Sequence, residues 1–349
     1  MRTITNATAT KLYDLNGVNQ VVVQKGNVGS SYIYALQLLH GQTDTVVYRA
    51  RPGHDFVKLP GKNPNDRDVA RIGCLYLKGI TNSNKKQAAG GHTQTWEYAG
   101  TSKENNNSNG GWFVGTKPKV SSEDGIKWDT QIARVPFHAA YYTHNTELPR
   151  ISNLNAAGRN FSINYPGDNL VRAEAAVAPG ESGKGYKWLL IATVDKAGTG
   201  YFSLYDLSEM NAALNAAGIS DVNLAKHPIG GNAKKAFKIP GFVNDVKSIQ
   251  GYDIDNNLNI YVSSERHPDE PTYSSKPRKI VKIPWGEVNK DSWSIIDLSQ
   301  TSSLDLAGYG TEFEGIQVIA ENKLYLTVAY HDKNEGGATT KNRIYQVNW

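Results

Sequence analysis

Five polar residues open short apolar segments at similar intervals and are the first candidates for chemistry. They are Gln20, Gln94, Glu174, Gln250 and Glu314, which lie 74, 80, 76 and 64 positions apart. If the segments are inner strands around one axis, two carboxylates and three amides converge there. Such a ring would serve a water-filled channel, hold a hard cation such as Ca²⁺ through Glu174 and Glu314, or contact a sugar or another small polar ligand. His92, close to Gln94, is the best candidate for one further ligand contact.

Carboxylates near an axis also raise the question of glycoside hydrolysis. That reaction needs an acid and a base or nucleophile about 5 to 9.5 Å apart. Glu174 and Glu314 belong to repeats that are not adjacent, and Glu97 is expected to face the opposite side of its strand from its neighbour Trp96. No set of residues satisfies the chemistry. We therefore assign no catalytic residue and favour a protein that is not an enzyme, with a hydrolase as the weaker alternative.

The elements that would position these residues repeat five times along the chain. Each polar leader precedes a second segment rich in Tyr, Trp, Val and Ile, for example Trp188–Ala192. Alternation together with β-branched and aromatic content predicts strands. Five such repeats predict an all-β fold, a five-bladed β-propeller in one domain of residues 1–349. The approximate blades are residues 17–61, 91–155, 171–241, 247–300 and 311–349.

The fifth repeat ends one strand short of the others. A strand near residues 10–15 is predicted to complete it, because Thr10–Leu15 resembles Ser294–Leu298 at the end of the fourth repeat. A ring closed by its own N-terminal strand leaves no open sheet edge. Phe56–Gly61 also echoes Phe237–Gly241, which predicts a fourth strand in the first and third blades.

Local composition adds further expectations. A short helix is predicted over residues 208–217, with Ser208 as N-cap and Gly218 as the stop. The single cysteine, Cys74, excludes an internal disulfide and lies in an apolar run typical of a buried small hydrophobic residue. No stretch has the length of a membrane span or the apolar region of a signal peptide. We expect a soluble monomer.

The charge balance is mildly basic, with 38 Lys and Arg residues against 33 Asp and Glu residues, a net charge of +5. This excess suits a polyanionic surface such as a bacterial wall. It is not gathered into the basic stripe or reading helix that nucleic-acid binding requires, so no nucleic-acid partner is predicted.

Several local motifs resemble ligand sites but are better explained as turns or surface residues. Gly180–Gly185 departs from the spacing of a phosphate loop. Asp253–Asn259 lacks the glycine and the closing glutamate of a calcium loop, which favours a turn with Asx hydrogen bonds. Aromatic side chains with turn-like flanks are candidates for docking a wall polymer; they are Tyr141 and Tyr142 near His144, Tyr273, and Tyr309.

Seven segments, in order over nearly the whole chain, resemble the helveticin J family of class III bacteriocins. They are Gln24–Ser30, Gly90–Glu97, Gln131–Val135, Ala173–Val177, Ser248–Asp253, Ile280–Pro284 and Leu326–His331. The resemblance implies a released antibacterial protein that kills related Gram-positive cells, and it implies relatives associated with the bacterial surface layer. It brings no catalytic residues to this chain.

Two classes of function follow from the sequence. The first is a secreted bacteriocin that binds a cell-surface polymer or receptor and kills without covalent catalysis. The second is a surface-associated carbohydrate-binding or adhesion protein. Neither requires a cofactor, apart from the Ca²⁺ interpretation of the polar ring.

Overall fold

Five β-sheets surround one axis in the computed structural model, which describes residues 1–60, 64–100, 111–120, 125–180, 185–265 and 278–349. The prediction of a five-bladed β-propeller is confirmed. In each blade, four strands run antiparallel from the axis to the rim.

Each blade begins with its innermost strand at the axis and continues outward. The first blade contains β3 (Val23–Val28), β4 (Ile33–Leu39), β5 (Asp44–Ala50) and β6 (Leu75–Leu77). The second contains β7 (Trp96–Tyr98), β8 (Trp112–Pro118), β9 (Asp129–Val135) and β11 (Arg150–Ser152). The third contains β12 (Leu170–Val177), β13 (Trp188–Asp195), β14 (Gly200–Asp206) and β16 (Lys235–Ile239). The fourth contains β17 (Ile249–Ile254), β18 (Ile260–Ser264), β19 (Lys279–Ile283) and β20 (Ser294–Asp297). The fifth contains β21 (Tyr309–Ala320), β22 (Lys323–Asp332), β23 (Ala338–Asn348) and the N-terminal strand β2 (Thr8–Asp14).

The N-terminal strand closes the ring, as the sequence predicts. β2 pairs antiparallel with β23, in a register that runs from Thr8 opposite Asn348 to Asp14 opposite Arg343. An irregularity between Lys11 and Tyr13 shifts the register by one residue. The last blade is thus built from both ends of the chain, and the edge of β23 is covered.

Three blades carry a fifth, parallel strand that sequence patterns did not predict. β1 (Arg2–Ile4) pairs with β20, β10 (Ala140–Tyr142) pairs with β6, and β15 (Asp221–Asn223) pairs with β11. Each of these strands comes from the chain of the next blade, so each ties two neighbouring blades together at the rim. Each has only three residues, too few for a period-two pattern to be visible.

The first blade differs from its predicted extent. Phe56–Pro60 forms no strand, and the fourth strand is β6, at Leu75–Leu77. Phe56 and Leu59 are buried nonetheless, because the segment packs as irregular chain and the Phe56 amide donates to the Asn16 carbonyl at 2.8 Å. Cys74, directly before β6, is buried as predicted, and burial raises the pKa of its thiol to about 12.

The described residues include three α-helices: α1 (Asp66–Ile72), α2 (Leu207–Ala217) and α3 (Phe242–Val246). The predicted helix is α2, but its N-cap is Asp206 and not Ser208, since the Asp206 carboxylate accepts from the Glu209 amide at 3.1 Å. Gly218 ends it with a φ of 59°. Short 3₁₀ turns occur at residues 145–147, 154–156, 159–161, 167–169, 228–231, 290–292, 302–304 and 333–335.

The apolar core is divided among the five seams between neighbouring blades. The seam of the third and fourth blades, for example, packs Phe202 and Leu204 against Tyr252 and Ile254. The other four seams each hold a comparable cluster. Because every blade buries apolar side chains on both faces, the strands read as nearly continuous hydrophobic runs.

Candidate functional site

Polar side chains from four blades meet where the inner strands approach the axis. The Gln94 amide nitrogen donates to Glu314 Oε2 at 2.7 Å, to Gln250 Oε1 at 3.1 Å and to Gln24 Oε1 at 3.2 Å. Three of the predicted leaders, Gln94, Gln250 and Glu314, therefore come together as expected. Gln94 and Glu314 are buried.

The fourth partner corrects the prediction for the first blade, because Gln24 occupies the place assigned to Gln20. Gln20 is exposed in a bend before β3. The segment in front of β3 is held by a side chain rather than by strand pairing: the Gln37 side chain accepts from the Asn19 amide and donates to the Asn19 and Val21 carbonyls. The inner strand thus begins at Val23, three residues later than the pattern suggested.

The third blade contributes an ion pair. Glu174 accepts from Thr95 Oγ1 at 2.5 Å, from the backbone N–H of Gln94 at 3.2 Å and from Arg172 Nε at 3.2 Å. The Arg172 guanidinium also donates to the Gln94 side-chain oxygen and to the backbone carbonyls of Ile249 and Gln250. Arg172 thereby joins the second, third and fourth blades. Gln24, Gln94, Arg172, Glu174, Gln250 and Glu314 are called the axis cluster below.

His92 lies beside this cluster but is not open to solvent. Its ring contacts Trp128, with centroids 4.1 Å apart, and the Arg172 guanidinium lies 4.0 Å from the centre of the Trp128 ring. Burial, and then the positive charge of Arg172, lower the pKa of His92 to about 3. The imidazole is therefore neutral at physiological pH, packed in the wall of the axis.

A second group of charges lies next to the axis cluster. Lys25, with no exposed surface, donates to Glu97 at 2.5 Å and to the Ile316 carbonyl. Burial opposes its charge, yet Glu97 and Asp253 raise the pKa of Lys25 above its ordinary value. Burial raises the pKa of Glu97, and burial together with Glu97 raises that of Asp253. Glu97, considered above as a hydrolytic carboxylate, is thus a structural ion-pair partner of Lys25.

Glycine at the axis allows the inner strands to approach this closely. A Cβ on Gly251 would lie 2.7 Å from the Gly315 Cα, and a Cβ on Gly315 would lie 2.4 Å from Lys25 Cδ. These two glycines follow directly after Gln250 and Glu314. The pair of a polar leader and a glycine in the fourth and fifth blades therefore reflects close packing at the centre of the ring.

Asp129, in β9, is a buried carboxylate that sequence patterns did not single out. It has no exposed surface, and within the described residues neither oxygen has a hydrogen-bond partner. Burial, and then Glu174, raise its pKa well above the usual range. A Cβ on Gly91 would lie 2.3 Å from its Oδ1, and one on Gly115 would lie 2.8 Å from its Oδ2. The only sequence signal is the presence of those glycines.

The carboxylates of the axis cluster accept hydrogen bonds from donors of the protein itself. Arg172 and Lys25 supply positive charge from the protein itself, and the oxygens of Glu174 are contacted by hydroxyl, amide and guanidinium donors. Among the described residues, no group of three or more His, Cys, Asp or Glu side chains is placed to hold a metal ion. The cluster is a polar plug that links the blades; its carboxylates are withdrawn from solvent, and Gln250 is partly exposed.

A family model with the description "Bacteriocin helveticin-J" matches residues 3–349 of the chain. The chain belongs to the helveticin J family. A relative, the bacteriocin helveticin-J of Lactobacillus helveticus, is 40% identical over 361 residues, an alignment that covers 99% of this chain and 98% of the relative. The family resemblance carried by the seven segments is confirmed.

A crystal structure of a protein of unknown function from the DUF3598 family of Nostoc punctiforme is 8% identical to this helveticin J family member. The match covers 99% of this chain and 96% of that one, with a TM-score of 0.13.

Three of the aromatic residues predicted to dock a wall polymer, Tyr141, Tyr142 and Tyr309, are partly buried in this family member. Tyr141 stacks on Tyr76 with ring centroids 5.0 Å apart, and Tyr309 packs edge-on against Tyr330 at 6.3 Å. Tyr142 is half-buried beside the seam of the first and second blades.

The remaining predictions concern the turn at Asp253–Asn259, His144, Tyr273 and the segment that resembles a phosphate loop. Asp255 makes an Asx hydrogen bond of the predicted kind, since its carboxylate accepts from the Asn259 amide, four residues on, at 2.8 Å. His144 lies 3.6 Å from Glu147. Tyr273 and residues 181–184 of the phosphate-loop look-alike lie outside the described residues.

No helix among the described residues is long and apolar enough to cross a membrane.

Proposed function

We propose that this chain is a secreted antibacterial protein that binds the surface of related Gram-positive bacteria and kills them without covalent catalysis. The observation that carries the antibacterial part is the match to the helveticin J family, together with 40% identity over nearly the full length of a bacteriocin. Because the alignment covers both chains almost end to end, it supports extending the relative's antibacterial activity to the whole of this protein.

The non-enzymatic part rests on the state of the central carboxylates. Glu97, Glu174 and Glu314 are all buried, with at most 4% of each residue exposed. Glu97 pairs with Lys25, Glu174 with Arg172, and Glu314 with the Gln94 amide. A glycosidase needs two carboxyl groups that both reach the scissile bond. Carboxylates engaged in this way support a structural role.

The test is to treat sensitive cells with purified protein and to measure colony counts and released soluble wall fragments in parallel. We expect loss of viability without fragments. Release of fragments at a rate that follows killing would instead identify a wall hydrolase, and wall binding without killing would identify an adhesion protein.

Single substitutions sharpen this test. Glu97→Gln, Glu174→Gln and Glu314→Gln should each reduce killing only as far as they reduce the folded fraction or wall binding. The folded fraction is measured by thermal melting, and wall binding by cosedimentation with walls. A variant that is folded, binds as well as the wild type and yet does not kill would contradict the proposal.

A further inference from the structure

Aromatic side chains from three blades form one continuous cluster at the end of the ring where the inner strands finish. This cluster, called the aromatic seam, consists of Tyr32, Tyr34, Trp96, Tyr98, Trp112, Phe137 and Tyr186. Trp96 and Trp112 stack with centroids 4.9 Å apart, and Tyr34 links them to Phe137 at 5.1 Å. The pairing of Tyr98 with Trp112 and of Trp112 with Val135 places these residues at one end of the second blade.

The aromatic seam is only partly covered. Trp96, in its floor, has no exposed surface, whereas Tyr32, Tyr98, Phe137 and Tyr186 are each partly exposed. An apolar seam that serves packing alone would not need four rings reaching solvent in one place. Partly exposed aromatic rings above a buried base are suited to contacts with the apolar faces of sugar rings.

An arginine lies over the same rings. The Arg49 guanidinium is 4.3 Å from the centre of the Tyr32 ring and 4.7 Å from that of Phe137. Arg49 is exposed, and no ion pair joins it to a carboxylate within the described residues. A planar, pre-positioned guanidinium on an aromatic surface is well suited to bidentate binding of phosphate.

The N-terminal quarter of the sequence, which includes Arg49, is more basic than the rest of the chain. Residues 1–90 contain 12 Lys and Arg residues and 5 Asp and Glu residues, a net charge of +7, whereas residues 91–349 have 26 against 28, a net of −2. The N-terminal segment that includes the first blade therefore carries the whole positive excess of the protein. Exposed members near its strands include Arg51, Lys58, Arg67 and Arg71. Their charge favours an anionic partner for the first blade.

We propose that the aromatic seam and Arg49 bind a phosphate-bearing glycan of the target cell wall. The rings would stack on sugar units, and Arg49 would bind a phosphate between them. The inference rests on the proposed function, because it identifies the polymer that the protein recognises on the cell. An uncharged glycan would use the rings without Arg49, which gives the two chemistries different signatures.

The test measures binding of the full-length protein to purified walls of a sensitive strain, and to the same walls after acid removal of their phosphate polymers. Arg49→Gln should weaken binding to intact walls about tenfold, the loss of one charge-assisted contact, and should change binding to stripped walls little. Phe137→Ala should weaken binding to intact walls by a similar factor. Raising the salt concentration should reduce the difference between wild type and Arg49→Gln.

Lys341→Gln is the matched control, because Lys341 is also exposed and lies 5.6 Å from the Tyr309 ring in the fifth blade. It should bind intact walls as the wild type does. Arg49 is exposed, so its variant should keep the wild-type melting temperature even if Phe137→Ala is unstable.

The outcomes separate the two proposals. Wild-type affinity of Arg49→Gln for intact walls would overturn the inference and leave wall binding in place. Equal binding of the wild type to intact and stripped walls would also overturn it, in favour of an uncharged glycan. Failure of the wild type to bind either wall would contradict the proposed function itself.

Discussion

The axis and the rim of the propeller join the same five blades by different kinds of bond. At the axis, side chains cross between blades, as when Arg172 contacts Gln94 and Ile249. At the rim, backbone ladders do so, since β1, β10 and β15 each pair with the preceding blade. Within the fifth blade, the N-terminal strand β2 pairs with β23 and closes the ring. Ring closure thus combines a few specific buried charges inside with main-chain pairing outside.

The largest effect is expected at the rim. Deleting residues 1–14 removes β1 and β2 and uncovers β23, an edge of 11 residues. A long unpaired edge is a template for pairing between chains, so the shortened protein should aggregate. Size-exclusion chromatography and thermal melting would measure this.

Deleting residues 1–5 alone is the control for that experiment, since it uncovers only β20, a strand of four residues. This variant should stay soluble with a modestly lower melting temperature. A monomeric 1–14 deletion with wild-type melting would show that the rim is not needed for closure.

A smaller but still large effect is expected at the axis. Arg172→Ala would leave Glu174 without its cationic partner and remove three hydrogen bonds to the second and fourth blades. Breaking a buried ion pair from one side costs about 3–5 kcal/mol, so the free energy of unfolding should fall by that amount. Chemical denaturation measures it.

Arg278→Ala provides the comparison, because Arg278 pairs at 2.8 Å with Asp305, whose side chain is 61% exposed. Surface pairs contribute about 0–1 kcal/mol. Equal losses in the two variants would mean that the axis cluster is no more important than a surface pair.

The sequence does not predict the blades and the axis of the propeller equally well. Alternation and repeat spacing predicted the blades and the closing strand, because both depend on apolar periodicity. Gln94, Gln250 and Glu314 do meet at the axis, since each lies in its inner strand or two residues before it. Gln20 was misplaced because Val21 and Val22 continue the apolar pattern outside the strand. The three-residue parallel strands leave no such pattern.

The axial position of Arg172 follows from strand periodicity. It lies two residues before Glu174 in β12, and residues two apart in a strand share a face. The position of Glu174 near the axis therefore implied the same for Arg172. Lys25 and Asp129 gave no comparable signal, because their partners and surroundings come from other blades or from glycines distant in sequence.

A moderate effect is expected from the protonation of the axis. Burial, followed by Glu312, raises the pKa of Glu314 well above its usual range. The folded protein thus binds this proton more tightly than the unfolded chain, whose glutamates titrate at about 4.3. The stabilisation from protonated Glu314 is fully present below that pH and is lost as pH rises through the folded pKa. Glu314→Gln should therefore gain stability relative to the wild type as pH rises from about 4 to 7.

The comparison with the wild type at each pH is essential, because His92 acts in the opposite direction. Its folded pKa of about 3 lies below the ordinary 6.5, so it contributes stability above 6.5 that is lost as pH falls toward 3. His92 is present in both proteins, and its contribution cancels in the difference. A difference between Glu314→Gln and wild type that does not change with pH would contradict the raised pKa.

The smallest effect, no shift at all, is expected from removing calcium. If Glu174 and Glu314 held a cation together, a chelator would lower the melting temperature, Ca²⁺ would restore it, and Glu314→Gln would abolish both responses. We expect no response, because Arg172 already supplies positive charge to Glu174 at 3.2 Å and Glu314 accepts from the Gln94 amide at 2.7 Å. A cation would have to displace these donors, and the positive charge of Arg172 would oppose it. A calcium-dependent rise in the wild-type melting temperature, absent from Glu314→Gln, would show that the axis is a metal site and not a hydrogen-bonded plug.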